Sequence, residues 1–242
     1  MRHLDLTLPS PADNLACDEA LLDWCESGAG TECLRLWESP EPFVVVGYAN
    51  KVASEVNLPA CEARGIPILR RCSGGGTVVQ GPGCLNYALV LPIGDSGPYR
   101  HIGTANQFIM RRNRAAIQSA IGRRSPAIAI RGHTDLASGQ LKFSGNSQRR
   151  RKHFLLFHGT FLLHFSLARI SELLKMPSKQ PDYREQRPHS AFLCNLEIPP
   201  GKVKDALRQV WGAEAPLANP PLEETRTLAR EKYSAREWNF KF

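Results

Sequence analysis

Two stretches of this chain hold residues whose types and spacing can do chemistry. The first runs from Arg70 to Leu91, RRCSGGGTVVQGPGCLNYALVL, and sets two arginines before three consecutive glycines, Gly74, Gly75 and Gly76. Gly loses more backbone freedom on folding than any other residue, so such a run is costly unless a ligand or another backbone approaches closely. Bare N–H groups from Gly74 to Gly76 suit a phosphate or carboxylate, and Arg71 beside them can clamp an anion through two donors. A β-turn flanked by solvated arginines fits the same residues. A dinucleotide fingerprint does not, because Val79 stands where the last Gly of G-x-G-x-x-G belongs, and a P-loop does not, because no Gly-Lys-Ser/Thr follows.

The second stretch is Lys142-Phe143-Ser144-Gly145-Asn146-Ser147-Gln148. On a strand, Leu141 and Phe143 share one face and Lys142 points to the other. A lysine there puts a compact positive charge against phosphoryl or acyl charge as it develops. An exposed lysine on an amphipathic strand is the plainer reading of the same spacing.

The elements that must position these stretches follow from periodicity. Asp13-Asn14 is a helix cap, and Cys17, Ala20, Leu21, Trp24 and Cys25 repeat at helical spacing up to Gly28 and Gly30. Residues 33–37 and 43–47 read as strands, 61–65 as the end of a short helix, and 66–71 as the strand that delivers the glycines. A helix capped by Thr104 turns Ala105, Phe108, Ile109, Ala116 and Ala120 inward and stops at Gly122. Residues 127–131, 141–144 and 154–165 read as strands, the last two flanking a basic hairpin from Gln148 to His153. Ser166 caps a helix ended by Pro177, and residues 177–189 read as a mobile surface loop. Pro199-Pro200 open a helix carrying Val203, Ala206, Leu207, Val210 and Trp211, and another helix covers 223–232. Strands in the centre and helices at the flanks argue α+β rather than a regular βαβ array.

Composition removes several function classes. With 42% hydrophobic and 22% charged residues, 242 residues can bury a sizeable core. No apolar run of about 18 residues is present, so no membrane span is expected, and MRHLDLTLPSPADN lacks the apolar stretch of a signal peptide. Seven cysteines without a C-x-x-C point to neither a disulfide framework nor a zinc ribbon, and a reducing cytoplasm is the expected compartment. The histidines have no metal-ligand spacing, so no protein-held metal is expected. The net charge of +8 calls for anionic partners. Aromatics are not interleaved with the basic run Arg149-Arg150-Arg151-Lys152 or with Arg111, Arg112 and Arg114, which argues against nucleic acid. A solvated face and a docking patch for an acidic protein remain.

RRCSGGGTV…GCLNYAL, then DLASGQLKFSGNSQ, then FHGTFLL, in this order, resemble the lipoate-protein ligase A family within the wider group of biotin and lipoate ligases and octanoyltransferases. The opening NLACDEALL and the tail KYSAREWN are also similar. The resemblance implies a mixed, largely antiparallel β-sheet flanked by helices, with the site on the sheet face. It implies that lipoate and ATP, with Mg²⁺, give lipoyl-adenylate and pyrophosphate. The acyl group then passes to a lysine of a lipoyl domain of a 2-oxoacid dehydrogenase complex, or of the glycine-cleavage H protein. Carried over residue by residue, Arg71, Ser73, Gly74, Gly75 and Gly76 contact the acyl-adenylate, and Lys142 holds its phosphate and carbonyl oxygen. Asn86, Gly145 and His158 complete the implied site. Two features depart from the family pattern. Gln80-Gly81 replaces His-Asp, and the chain stops where larger bacterial ligases continue. The expectation is therefore one catalytic domain over residues 1–242, with any accessory function on a separate subunit.

Two other readings stand beside this one. An octanoyl- or lipoyl-transferase of the same superfamily would work through a cysteine thioester, yet Asp135 to Gln140, just ahead of Lys142, contains no cysteine. Cys72 and Cys84 remain as candidates, with inert buried thiols as their ordinary role. A basic binding module without catalysis is the alternative of a different class.

Overall fold

The computed structural model describes residues 1–122 and 126–242. Its strands are β1 (Arg2–Asp5), β2 (Cys33–Trp37), β3 (Phe43–Val46), β4 (Ile68–Arg70), β5 (Val78–Gln80), β6 (Cys84–Pro92), β7 (Ile128–Arg131), β8 (Asp135–Ser138), β9 (Leu141–Arg150), β10 (Phe154–Leu162) and β11 (Ala215–Pro216). They form a large sheet in the order β11-β1-β2-β6-β10-β9-β8-β7 and a small one in the order β4-β3-β5. Pairing is parallel at β11/β1, β1/β2 and β3/β4 and antiparallel elsewhere. The fold is thus the mixed, largely antiparallel α+β architecture the sequence implies.

The centre of the large sheet, β2 and β6, is buried on both faces, which is why CLNYALVL in β6 reads as a continuous apolar run rather than an alternation. One face packs Leu34, Leu36, Tyr87, Leu89, Phe157 and Phe161 against the Ile102–Ile121 and Pro200–Trp211 helices. The other packs Cys33, Ala88, Val90 and Leu156 under Cys17, Leu21, Leu22 and Cys25 of the first helix. Within the long helix Ala105, Ile109 and Ala116 are buried as expected, whereas Phe108 and Ala120 are only half-buried.

Several boundaries differ from the sequence reading, each for a local reason. The first helix spans Pro11–Glu26 and is capped by Ser10 in a reciprocal capping box with Asp13, so Asp13 and Asn14 lie inside it. That inward shift frees the Asn14 amide to bind Leu8 and the buried Arg35. The long helix begins at Ile102 rather than at a Thr104 cap, and the Thr104 hydroxyl donates back to the His101 carbonyl. The expected basic hairpin joins β9 to the antiparallel β10, but its turn is shorter than Gln148–His153, because β9 continues to Arg150.

The segment read as a mobile loop, 177–189, is instead pinned down. Arg187 donates to the carbonyls of Gln140 and Tyr183, the buried Arg184 lies over Phe192, and the Tyr183 hydroxyl reaches Asp135 on β8. Strand β8 itself was not anticipated; it is four residues long. It pairs with β9 through a bulge: Leu136 faces Ser144 and Ala137 faces Lys142, leaving Phe143 as the extra residue. An extra residue reverses the inside–outside alternation. Lys142 therefore shares a sheet face with Gly145 and Ser147 instead of with Ser144 and Asn146.

Candidate active site

The site is assembled where β9 and β10 of the large sheet meet the Gly-rich loop between β4 and β5. Across the sheet, Arg35, Ala88, His158 and Ser147 form one row of paired residues, and Trp37, Asn86, Thr160 and Gly145 the next. Side chains paired across strands lie on the same face. His158, Ser147, Asn86 and Gly145 thus share the face over which the loop folds.

Both arginines ahead of the glycines are struts. The Arg70 guanidinium is fully buried and donates to the carbonyls of Gly47, Tyr48, Asn50, Trp238 and Asn239. Arg71, 9% exposed, donates from Nε to Ser73 Oγ (3.2 Å) and Gly74 O (3.1 Å), and from Nη2 to Gly74 O (2.6 Å) and Gly76 O (2.7 Å). The bidentate anion clamp expected of Arg71 is therefore not its arrangement here, because these donors are already bound to its own loop. Burial pulls its pKa down to about 10, which leaves it charged at neutral pH. Ser147 Oγ also donates to Gly74 O (2.9 Å) and Asn50 Nδ2 to Gly75 O (3.1 Å). The loop carbonyls are thus drawn to one set of donors. The N–H groups of Gly74, Gly75 and Gly76 bond to no acceptor among the described residues. Exposed glycines with unpaired donors leave these N–H groups open to an anion.

Gly75 has a φ of +85°, where a side chain is strained, and its carbonyl lies 2.0 Å from where a Cβ on Gly47 would stand. Ser73 is buried, and its Oγ lies 2.5 Å from His158 Nε2. His158 Nδ1 lies 3.2 Å from Asp18 Oδ2, and the other carboxylate oxygen of Asp18 pairs with Arg35 at 2.6 Å. One proton assignment satisfies every partner. Arg71 donates to Ser73, Ser73 donates to His158 Nε2, and His158 Nδ1–H donates to Asp18. His158 is thereby built into a buried chain that runs from the first helix to the loop.

Lys142 Nζ pairs with Asp135 Oδ1 at 2.8 Å, and Asp135 Oδ2 accepts the Tyr183 hydroxyl at 2.8 Å. The ammonium lies only 3.0 Å from where a Cβ on Gly145 would be, so Gly145 makes room for the lysine. Asn86 is buried and joins the site through Thr160. Gln80 Nε2 donates to Thr160 Oγ1 (2.9 Å), which donates to Asn86 Oδ1 (2.6 Å). Gln80 Oε1 and Asn86 Nδ2 are buried without a partner among the described residues. Ser147, touching the loop from the strand of Lys142, joins the lysine side of the site to the glycine side.

Sequence reasoning passed over Asp135, Tyr183, Ser147, Asn50 and Asp18. Asp135 opens DLASG immediately before the lysine motif, and its acidity beside a predicted catalytic cation was an available signal. Asp18 is 140 residues from His158 and had none. The thiols of Cys72 and Cys84 are both pushed up to about 12 by burial, and half-buried Cys194 is also raised by desolvation. Among the described residues no group of three His, Cys, Asp or Glu side chains could hold a metal ion. One carboxylate at Asp135 suits Mg²⁺ only as a companion to phosphate oxygens.

Comparison with known proteins gives the family and the fold. A family model for the lipoyl protein ligase A/B catalytic domain matches residues 10–207. A provisionally named lipoate-protein ligase A of Aeropyrum pernix is 34% identical over 252 residues, covering 96% of this chain and 89% of its own. The octanoyltransferase LipM of Geobacillus kaustophilus is 26% identical over 277 residues, covering 99% and 98%. Among solved structures, the bipartite lipoate protein ligase of Thermoplasma acidophilum, studied with its E2 lipoyl domain, superposes with a TM-score of 0.82. It is 22% identical and covers 99% of this chain and 95% of that one. A lipoate-protein ligase A bound with ATP superposes at 0.74 with 25% identity, covering 99% and 98%.

Proposed function

This chain belongs to the lipoyl protein ligase A/B catalytic family, and we propose that within it the protein joins lipoate to ATP and passes the lipoyl group to a lysine of a lipoyl-carrier domain. The observation that carries this reading is the convergence of Lys142 with an N–H-lined loop on one sheet face, linked by Ser147. In the first half-reaction a carboxylate oxygen of the acid attacks the α-phosphorus and pyrophosphate leaves. In the second, the carrier's lysine nitrogen attacks the acyl carbonyl, the bond to AMP breaks, and the amine loses its proton. Both pass through oxyanions, on phosphorus and then on carbon. An acyl-adenylate is already activated, so the protein's work is to orient it, neutralise its phosphate and exclude water.

In this reading Gly74 to Gly76 bind the phosphate through backbone N–H groups, and Lys142 lies against the phosphate and the carbonyl oxygen. Asp135 positions the lysine and gives it up when the anion arrives. Mg²⁺ borne on the ATP phosphates would add charge neutralisation, and Asp135 is the carboxylate at hand to hold it. Arg71 and Ser73 act by shaping the loop. The ATP-bound ligase and the bipartite ligase studied with its lipoyl domain support the choice of nucleotide, carrier and a separate accessory subunit.

The similarity to LipM favours a second reading, octanoyl transfer through an enzyme thioester. The high thiol pKa values of Cys72 and Cys84 weigh against it. One assay separates the two: ATP, Mg²⁺ and a panel of acids, with pyrophosphate release measured with and without a lipoyl domain. Lipoate-dependent release supports the ligase. No release with any acid, together with transfer from an octanoyl thioester, replaces it with the transferase.

A further inference from the structure

The basic run Arg149 to Lys152 divides in the fold. Arg151 is paired with Asp23 and Glu19, and Arg150 donates to the carbonyls of Tyr99 and Arg100. Arg149 is different. Two residues along β9 from Ser147, it lies on the site face, with its guanidinium 5.8 Å from the Tyr48 ring centre. Tyr48 follows Gly47, beneath the glycine loop, and its N–H donates to the Ser73 carbonyl.

Residues 238–242 complete this rim. The Tyr48 ring meets Trp238 at 5.8 Å and Phe242 at 6.2 Å, and Lys241 Nζ lies over all three rings. Neither Arg149 nor Lys241 has an acidic partner among the described residues. Lys241 also bonds to the Tyr48 hydroxyl (3.1 Å), and this bond, with the nearby cations, pulls the phenol's pKa down. Phe242 is 48% exposed. The rim of the glycine loop thus carries uncompensated positive charge on a partly exposed aromatic base.

We infer that Arg149, Lys241 and the Tyr48–Trp238–Phe242 rings form the docking surface for an acidic carrier domain that presents its lysine to Lys142. The inference rests on the ligase reading above. Its electrostatic logic is specific. The carrier must bring a cationic lysine to a site that already holds Lys142, in a chain of net charge +8. Acidic groups flanking that lysine offset the repulsion only if cations face them at the rim, and Arg149 and Lys241 are so placed. Nucleic acid is the other partner that cations and aromatics suit. Here the ring faces are already covered by Arg149 and Lys241, which leaves them poor platforms for base stacking.

The test uses the full chain, a recombinant apo-lipoyl domain and chemically made lipoyl-adenylate. Arg149→Glu/Lys241→Glu is compared with Arg111→Glu/Arg114→Glu, which reverses exposed charge on the long helix packed against the opposite sheet face. The rim variant should raise both the Kd and the transfer KM for the carrier about tenfold. It should retain lipoyl-adenylate affinity and lose most of the wild-type salt dependence, while the helix variant changes none of these. Unchanged carrier binding in the rim variant overturns the docking surface, as do equal losses in both variants or tight binding of single-stranded RNA that the rim reversal abolishes. Carrier binding is read without chemistry. Wild-type protein that binds the carrier through the rim yet never acylates it would therefore sink the ligase reading and leave the docking surface standing.

Discussion

Among the described residues Lys142 pairs with one acid, Asp135, which Tyr183 holds in turn. A cation so tethered is preorganised, and preorganised charge is worth most where charge develops. Lys142→Ala should fold normally and lose about 10²–10³ in single-turnover transfer from lipoyl-adenylate, the usual cost of one such donor. Lys142→Arg should also be poor, because a planar fork does not fit the space Gly145 leaves for a compact ammonium. Near wild-type transfer in Lys142→Ala would remove the lysine from the mechanism. The cysteines give the complementary expectation. Burial keeps the Cys72 and Cys84 thiols protonated until about pH 12, so neither supplies thiolate at neutral pH. Cys72→Ser and Cys84→Ser, assayed separately, should each still transfer lipoate. An acyl-thioester trapped on either would establish the transferase route.

The glycines separate by element into those the fold needs and those only a ligand needs. On β10, a Cβ at Gly159 would sit 1.7 Å from the Asn146 side-chain oxygen and 2.8 Å from the Gly145 carbonyl, so β9 must move. In the loop, Gly74 and Gly76 have no positive φ, and a Cβ added to either would enter open space. Gly159→Ala should therefore lower Tm by several degrees, a shift that about 1–2 kcal/mol produces in a chain of this size. Gly74→Ala and Gly76→Ala should keep Tm and weaken ATP binding. Thermal melts with and without ATP check both halves, and a folded, ATP-competent Gly74→Ala/Gly76→Ala would dismiss the cradle.

Much of this was legible in the sequence, and what was not has a physical cause. Periodicity located most helices and strands, and the order of three motifs gave the fold. The loop bonds of Arg71 were not legible, because an arginine beside glycines can bind a ligand or its own loop, and the sequence does not give the directions of the Gly74 and Gly76 carbonyls. The β9 bulge leaves no periodic trace in so short a stretch, although it sets which face Lys142 uses. Asp18–His158 joins a helix to a strand far along the chain, and no local pattern encodes such a contact.

At the scale of the whole molecule, the buried thiols that are unsuited to catalysis should make stability fall steeply in alkali. Cys72 packs under the first helix and Cys84 between the two sheets, and burial raises both from 9.0 to about 12. Between about pH 9 and pH 12 the unfolded chain has therefore released protons that the folded chain still holds. Since stability changes with pH as the difference in protons bound by the unfolded and folded states, it is fully present below about pH 9 and is lost as pH rises through this window. The phenols of Tyr87 and Tyr233, raised chiefly by burial, act in the same direction. Arg71 acts in the opposite one. Its pKa falls to about 10 in the fold, so above that pH the folded state holds fewer protons at this site than the unfolded state. Burial lowers Arg70, Arg150 and Arg184 as well, but these bases offset only part of the loss, because the thiols and phenols raised in the fold outnumber them. Tm measured from about pH 7.5 to about pH 11 should accordingly drop beyond about pH 9, and Cys72→Ala/Cys84→Ala should show a shallower drop than wild type whatever its Tm at neutral pH. Parallel curves for the two proteins would mean that these thiols ionise in the fold as easily as in the unfolded chain, and that the core around them admits water.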